Sequence, residues 1–108
     1  MPKPRPKKKR NAKHPLVGSW INGDEYATDV EYIVSRKGDS FAVRAIDRYD
    51  GEEAHVYEVE WDGEVLLFAT QWDSTGRFAR CRLQAVSPNR VSFTYTYTDN
   101  EMWHRKSA

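Results

Sequence analysis

Six residues in the second half of the chain have side chains that could hold a small molecule between them. Imidazole, hydroxyl, thiol and phenol groups make hydrogen bonds, and an indole ring offers a flat stacking surface. An apolar pocket with a few convergent polar groups of this kind is the usual small-molecule site. We therefore predict ligand binding at His55, Thr70, Trp72, Cys81, Tyr95 and Tyr97.

The sequence offers little for catalysis or metal binding. Cys81 and His55 could lie close together across Thr70, as a Cys–His nucleophile pair would require, but an inward cysteine beside an unrelated histidine is the ordinary interpretation. The histidines lack metal-ligand spacing, and Cys81 has no cysteine partner. Four acids crowd one turn without the spacing of a calcium loop: Asp47, Asp50, Glu52 and Glu53. We expect a non-enzymatic protein with no metal and no cofactor.

Eight short strands between Leu16 and Arg105 must position the candidate residues. Apolar and polar residues alternate in these segments, and turns bearing Gly, Asn or Asp separate them. A two-residue turn pairs the residues that flank it, and paired residues share a face of the sheet. The predicted two-residue turns are Lys37-Gly38, Asp62-Gly63 and Thr75-Gly76, and the predicted three-residue turns are Tyr49-Asp50-Gly51 and Ser87-Pro88-Asn89.

The five turns place the same set of side chains on the inner face of the sheet, and the strand pairing arranges these side chains in layers. Two bulky apolar layers come first; the second holds Val43, Tyr57, Phe68, Leu83 and Phe93. The next layer is smaller and more polar, with Ala45, His55, Thr70, Cys81 and Tyr95, and Trp72, Ala79 and Tyr97 lie beyond it. A cavity is therefore expected at the second end, although the same residues could simply fill a solid core.

Sequential antiparallel strands with short turns predict an all-β fold, an eight-stranded up-and-down (meander) barrel. A two-sheet sandwich is the alternative. The last turn is ambiguous: with Asp99-Asn100 alone it points Met102 and His104 inward, and with Glu101 added it points Trp103 and Arg105 inward.

The charge of the chain divides it into an arm and a body. The net charge of +1 combines a segment, 1–14, with seven basic residues and no acid, and a remainder with ten basic and sixteen acidic residues. Residues 1–15 also hold four prolines, so we predict a disordered basic tail at 1–15 and one domain at 16–106. Because no apolar signal segment or membrane-spanning stretch is found, a cytoplasmic location is expected. The tail residues that could contact a polyanion are Lys7, Lys8, Lys9 and Arg10.

The segment Gly18-Ser19-Trp20, at the start of such a meander, resembles the calycin group of lipocalins, fatty-acid-binding proteins and avidins. The resemblance implies a lipocalin-like barrel in which Trp20 packs inside and Arg105, from the last strand, lies over it by a cation–π contact. Asn22 matches the avidin asparagine that hydrogen-bonds the ureido group of biotin. The other avidin ligand contacts do not map, so biotin binding is not implied.

Two functions follow from these features. The first is binding of a small, partly apolar ligand in the mouth of the barrel. The second is an interaction module whose basic arm engages nucleic acid or an acidic protein. Ligand identity and oligomeric state are not determined by the sequence.

Overall fold

The computed structural model describes residues 14–24 and 28–107. The fold is all-β, with antiparallel strands in two sheets of order β1-β2-β3 and β4-β5-β6-β7. The strands are β1 Gly18–Ile21, β2 Val30–Lys37, β3 Ser40–Asp47, β4 His55–Trp61, β5 Leu66–Trp72, β6 Arg77–Ser87 and β7 Arg90–Thr98. The described residues include no helix that is long and apolar enough to cross a membrane.

At three turns the observed strand pairing differs from the predicted pairing by two residues. The β2–β3 turn is Gly38-Asp39, with a glycine φ of 61° as a type II′ turn requires. The β4–β5 connection has four residues instead of the two of Asp62-Gly63, so that Trp61 pairs with Leu66 instead of Glu64. The β5–β6 connection has four residues, so that Trp72 pairs with Arg77 instead of Ala79. Because the side-chain period of a strand is two, a two-residue shift leaves every side chain on its predicted face.

The register between β6 and β7 is the predicted one. Leu83 pairs with Phe93 and Cys81 pairs with Tyr95. The turn differs in that Ser87, assigned to the loop, pairs with Arg90, and a bulge at Ala85–Ser87 then restores the predicted register. The inner faces of these two strands are therefore confirmed.

The first half of β4 corrects the prediction. Ala54, instead of His55, lies opposite Ala45, because the Ala54 N–H donates to the Ala45 carbonyl at 2.9 Å. A bulge that contains Glu58 and Val59 then separates Tyr57 from Glu60, and Glu58 has a φ of 54°. The bulge reverses the face of the strand, so its second half points as predicted and its first half does not.

The predicted inward positions of His55 and Tyr57 are consequently wrong. Val56 occupies the inner face of this part of β4 and packs against the core. His55 and Tyr57 are exposed on the outer face, with ring centroids 6.3 Å apart. The cause is local: a four-residue turn at 48–51 replaces the predicted three-residue turn at 49–51. This one-residue change moves the side chains between the turn and the bulge to the other face.

One end of the space between the sheets is closed by aromatic rings. The His14 ring lies 5.1 Å from both the Phe41 and the Trp61 ring, in edge-to-face contact, and Leu16 beside them is fully buried. The buried core continues along the inner faces of the strands through Val34, Val43, Leu66, Phe68, Ala79, Cys81 and Leu83. This is the bulky end that the sequence predicts.

The predicted eighth strand and the closure of the barrel are not found among the described residues. Residues 99–107 form no strand, and Met102 and Trp103 are exposed at 91% and 86%. Arg77 binds the Asp99 carboxylate at 3.0 Å and Asn100 lies against Gly76, so the chain is held beside β6 instead of turning back along β7. The two sheets are bridged at Ile46 and Glu53, and the fold is a curled seven-stranded meander that is open between β1 and β7.

The two residues predicted to form the cation–π contact, Trp20 and Arg105, lie in different surroundings. Trp20 lies on the inner face of β1, packs against the core and donates its indole N–H to the Leu16 carbonyl at 2.9 Å. Arg105 is exposed in the segment after β7. Within 14–24 and 28–107, no cation–π contact joins the two, so that prediction is wrong. The tail residues Lys7, Lys8, Lys9 and Arg10 lie outside the described part of the chain.

Candidate functional site

A groove of about 510 Å³ occupies the open end of the fold. The strands β1 and β2 form one side of it, and β5, β6 and β7 form the other. The groove exists because the inner side chains at this end of the core are small, at Thr70, Ala79 and Cys81. It therefore lies at the end where the layer of small residues places it.

Five of the six predicted ligand-binding residues line this groove: Thr70, Trp72, Cys81, Tyr95 and Tyr97. His55 does not. Its Nε2 atom lies 2.9 Å from the Asp73 carboxylate on the outer face of β4. The imidazole is therefore unavailable to a ligand in the groove.

A ladder of aromatic rings forms one wall. Along β7 the ring centroids of Phe93 and Tyr95 are 5.5 Å apart, and those of Tyr95 and Tyr97 are 6.2 Å apart, with interplanar angles of 31° and 25°. Tyr95 and Tyr97 are 55% and 50% exposed. At the rim, the Arg77 guanidinium lies 4.5 Å from the Tyr97 ring centroid. We call Phe93, Tyr95 and Tyr97 the tyrosine ladder.

The floor of the groove holds a buried polar group. Thr70 is fully buried, and its Oγ1 atom makes no well-formed hydrogen bond within the described part of the chain. Its polar neighbour is the thiol of Cys81, which is a weak hydrogen-bonding group. Leaving a buried hydroxyl unsatisfied costs about 1–3 kcal/mol. A ligand atom that bonded to Thr70 would recover part of that free energy.

Two ionisable side chains that line the groove, Cys81 and Tyr32, stay protonated at neutral pH. Burial raises the pKa of the Cys81 thiol to about 11, and the Thr70 hydroxyl opposes the shift. Burial, followed by the charges of Cys81 and Tyr95, also raises the pKa of Tyr32. Both groups are therefore neutral hydrogen-bond donors instead of anions.

The structure does not support the Cys–His pair as a catalytic unit. Cys81 faces the groove and His55 faces outward, so the two are not brought together. A nucleophilic cysteine needs a lowered pKa, and the pKa of this thiol is raised. The catalytic interpretation of these two residues thus has no geometric basis.

The acidic turn is engaged in protein contacts. Glu53 forms a two-pronged pair with Arg44, at 2.9 Å for each bond, and this pair lowers the pKa of Glu53. Glu52 accepts hydrogen bonds from the backbone N–H and the hydroxyl of Ser74. No group of three or more His, Cys, Asp or Glu residues suited to a metal ion occurs within 14–24 and 28–107.

Several residues of the groove were not among the predicted ligand-binding set. Trp20 was assigned a structural role only, and Tyr32 was assigned no part in binding. Asn22 follows β1 and was singled out only by the avidin resemblance. Arg77 reaches the groove because its partner is Trp72, and the predicted two-residue turn concealed that pairing. A four-residue interpretation of the connection at 73–76 would have found it.

Comparison of the chain with protein-family models, with curated proteins and with solved structures finds no match.

Proposed function

We propose that the protein binds a small, partly apolar molecule in the groove, without catalysing a reaction. The observation that carries this proposal is the 510 Å³ groove, with a half-exposed tyrosine ladder on its wall and an unsatisfied buried hydroxyl on its floor. Ligand pockets commonly measure about 300–1,000 Å³ and combine an apolar lining with a few polar groups. The groove meets both conditions.

The calycin resemblance forms part of the same proposal. Gly18 begins β1, and Trp20 lies on the inner face with its indole ring against the core. Asn22 lines the groove directly after that strand. These positions are compatible with a distant calycin-like architecture, in which a meander sheet encloses a ligand at its open end. The exposed position of Arg105 gives the kinship no support.

A thermal-shift screen of small hydrophobic molecules against the full chain tests the proposal. Specific ligands raise the melting temperature because they bind the folded state. Ala79 lies on the floor of the groove and is 9% exposed, so Ala79→Phe should fill the space. Ala85 is on the same strand, is exposed and does not line the groove, so Ala85→Phe is the matched control.

For hits from the screen, we expect binding to weaken at least about tenfold in Ala79→Phe and to persist in Ala85→Phe. Near-ultraviolet circular dichroism establishes that both variants fold. Should Ala79→Phe misfold, Ala79→Leu is the smaller obstruction. The proposal fails if no molecule binds, or if folded groove-filling variants bind as well as the wild type.

A second candidate function is contact with a polyanion through the basic arm. One observation favours it: Tyr95 and Tyr97 are half exposed, and nucleic-acid bases stack on rings that are open to solvent. The body works against it, since the chain after residue 14 carries more acids than bases. Deleting residues 1–13, which removes all seven basic residues of the arm and spares the core contacts of His14, separates the two functions. Groove binding should survive the deletion, and polyanion binding should disappear.

A further inference from the structure

We propose that the ligand of the groove is a flat aromatic molecule, neutral or anionic, with a hydrogen-bonding group on its edge. Its ring would stack on the tyrosine ladder, and its polar edge would reach the Thr70 hydroxyl. This inference rests on the proposed function and names the class of molecule that the groove selects.

The aromatic lining favours a flat aromatic ligand. Neighbouring rings of the ladder have centroids 5.5 and 6.2 Å apart and are inclined by 31° and 25°, so they form a close row of near-parallel rings. Rings of Trp20 and Tyr32, on the facing sheet, line the same groove. Aromatic pairs stabilise each other beyond the area that they bury, and a puckered aliphatic ring lacks this contribution.

The floor favours a polar edge on that ligand. Thr70 Oγ1 can both donate and accept a hydrogen bond, and it makes none that is well formed among the described residues. Thr70, Ala79 and Cys81 all line the groove, and their side chains are small. An amide or carbonyl at the edge of the ligand would satisfy the hydroxyl, and an apolar edge would leave it unsatisfied.

The charges around the groove disfavour a cation. Arg77 is the charged residue of the lining, and no Asp or Glu lines the groove within 14–24 and 28–107. Asp99 binds Arg77 at 3.0 Å and partly offsets its charge at the rim. Because the Arg77 guanidinium lies 4.5 Å from the Tyr97 ring centroid, a cationic ligand beside the ladder would meet a like charge.

Matched probes test the ligand class by titration calorimetry with the full chain. The probes are 2-naphthamide, which is flat and neutral; 2-naphthoate, which is flat and anionic; decalin-2-carboxamide, which is the saturated counterpart of the first; and 2-naphthylmethylammonium, which is flat and cationic. We expect the two flat uncharged or anionic probes to bind at least about tenfold more tightly than the other two, a margin of the size that aromatic stacking supplies.

Two variants assign the contacts. Tyr95→Leu/Tyr97→Leu keeps an apolar wall but removes the flat rings, and should abolish the preference for 2-naphthamide over its saturated counterpart. Thr70→Val keeps the shape of the side chain and should weaken 2-naphthamide binding about five- to tenfold, the usual effect of one lost hydrogen bond. Tyr49→Leu is the control, because Tyr49 is 85% exposed and lies outside the groove.

The outcomes separate this inference from the proposed function. Equal or tighter binding of decalin-2-carboxamide or of the ammonium probe overturns the ligand class, while the groove remains a binding site. Hits in the thermal-shift screen together with no binding of any naphthalene probe overturn it as well. An unchanged preference in the ladder variant also contradicts it. Absence of any ligand from both experiments ends the proposed function itself.

Discussion

Because of the bulge in β4, substitutions at two adjacent residues should change the stability of the fold by very different amounts. Val56 packs against the core, whereas Tyr57 is 43% exposed on the outer face. Uninterrupted alternation from the Asp62-Gly63 turn would reverse these positions. Placing an aspartate at each site in turn tests the arrangement, because the intrinsic strand penalty of aspartate is common to both variants and cancels in their difference.

The magnitudes follow from burial. Val56→Asp loses the partial burial of a valine, about 1 kcal/mol, and places a carboxylate without a partner against the core, about 3 kcal/mol more. Tyr57→Asp loses one exposed ring contact with His55, which is worth about 1 kcal/mol or less. The two variants should therefore differ by about 3 kcal/mol in the free energy of unfolding. For a domain of this size, the Val56→Asp melting temperature should fall by about 15 °C or more.

Urea unfolding followed by tryptophan fluorescence measures both variants against the wild type. A Tyr57→Asp variant that is as destabilised as Val56→Asp would refute the bulge. It would return Tyr57 and His55 to the interior and add an imidazole to the candidate site. The reasoning about the groove lining depends on this result.

Three other predictions concern single sites. Burial raises the pKa of Cys81 from 9.0 to about 11, so stability that is present below pH 9 should be lost as the pH rises through 11, by up to about 2.7 kcal/mol. The Cys81→Ala variant should not show this loss when its urea midpoint is measured across the same pH range. An identical loss in the variant would contradict the burial of the thiol. Burial and the nearby charge of Arg36 lower the pKa of His14, so stability present above pH 6.5 should fall as the pH drops below it. Nuclear magnetic resonance should give a His14 titration midpoint below 6.5, and a higher midpoint would place the ring in solvent. Gly51→Ala should lower the free energy of unfolding by about 1–2 kcal/mol, because Gly51 has a φ of 82°. Gly23 has no left-handed φ and lies in open space, so Gly23→Ala should change the free energy of unfolding by less than about 0.5 kcal/mol. Equal effects of the two substitutions in thermal unfolding would contradict the assigned turn.

Local signals in the sequence were sufficient for the strands and for most of the groove. Alternation located the inner face of β5, β6 and β7, which carries Thr70, Cys81 and Tyr95. The predicted turn after β2 was displaced by one residue, and the predicted turns after β4 and β5 were two residues too short. Each of these errors changed the strand pairing by two residues. A pattern of period two does not change under such a shift, so the faces came out correctly.

The predictions that were wrong about the candidate site and the barrel depended on features that the alternation of apolar and polar residues does not show. The bulge at Glu58 needs a left-handed backbone at a residue that is not glycine, so no local signal marks it. His55 was consequently assigned to the site and lies outside it. The prediction of a closed barrel was wrong for a similar reason. The segment after β7 has a strand-like sequence, but the sequence does not show which part of the fold that segment contacts.

The amino-acid sequence by itself determined that this chain forms a β-meander with bulky residues at one end and small polar ones at the other. Tertiary structure alone decided that β4 reverses its face, that Asp99 and Asn100 hold the chain beside β6, and that β1 and β7 stay apart. The physical reason is the range of the interactions. Alternation and turn residues act between neighbours in the chain, whereas a bulge and an open edge are selected by the packing of segments that are distant in sequence.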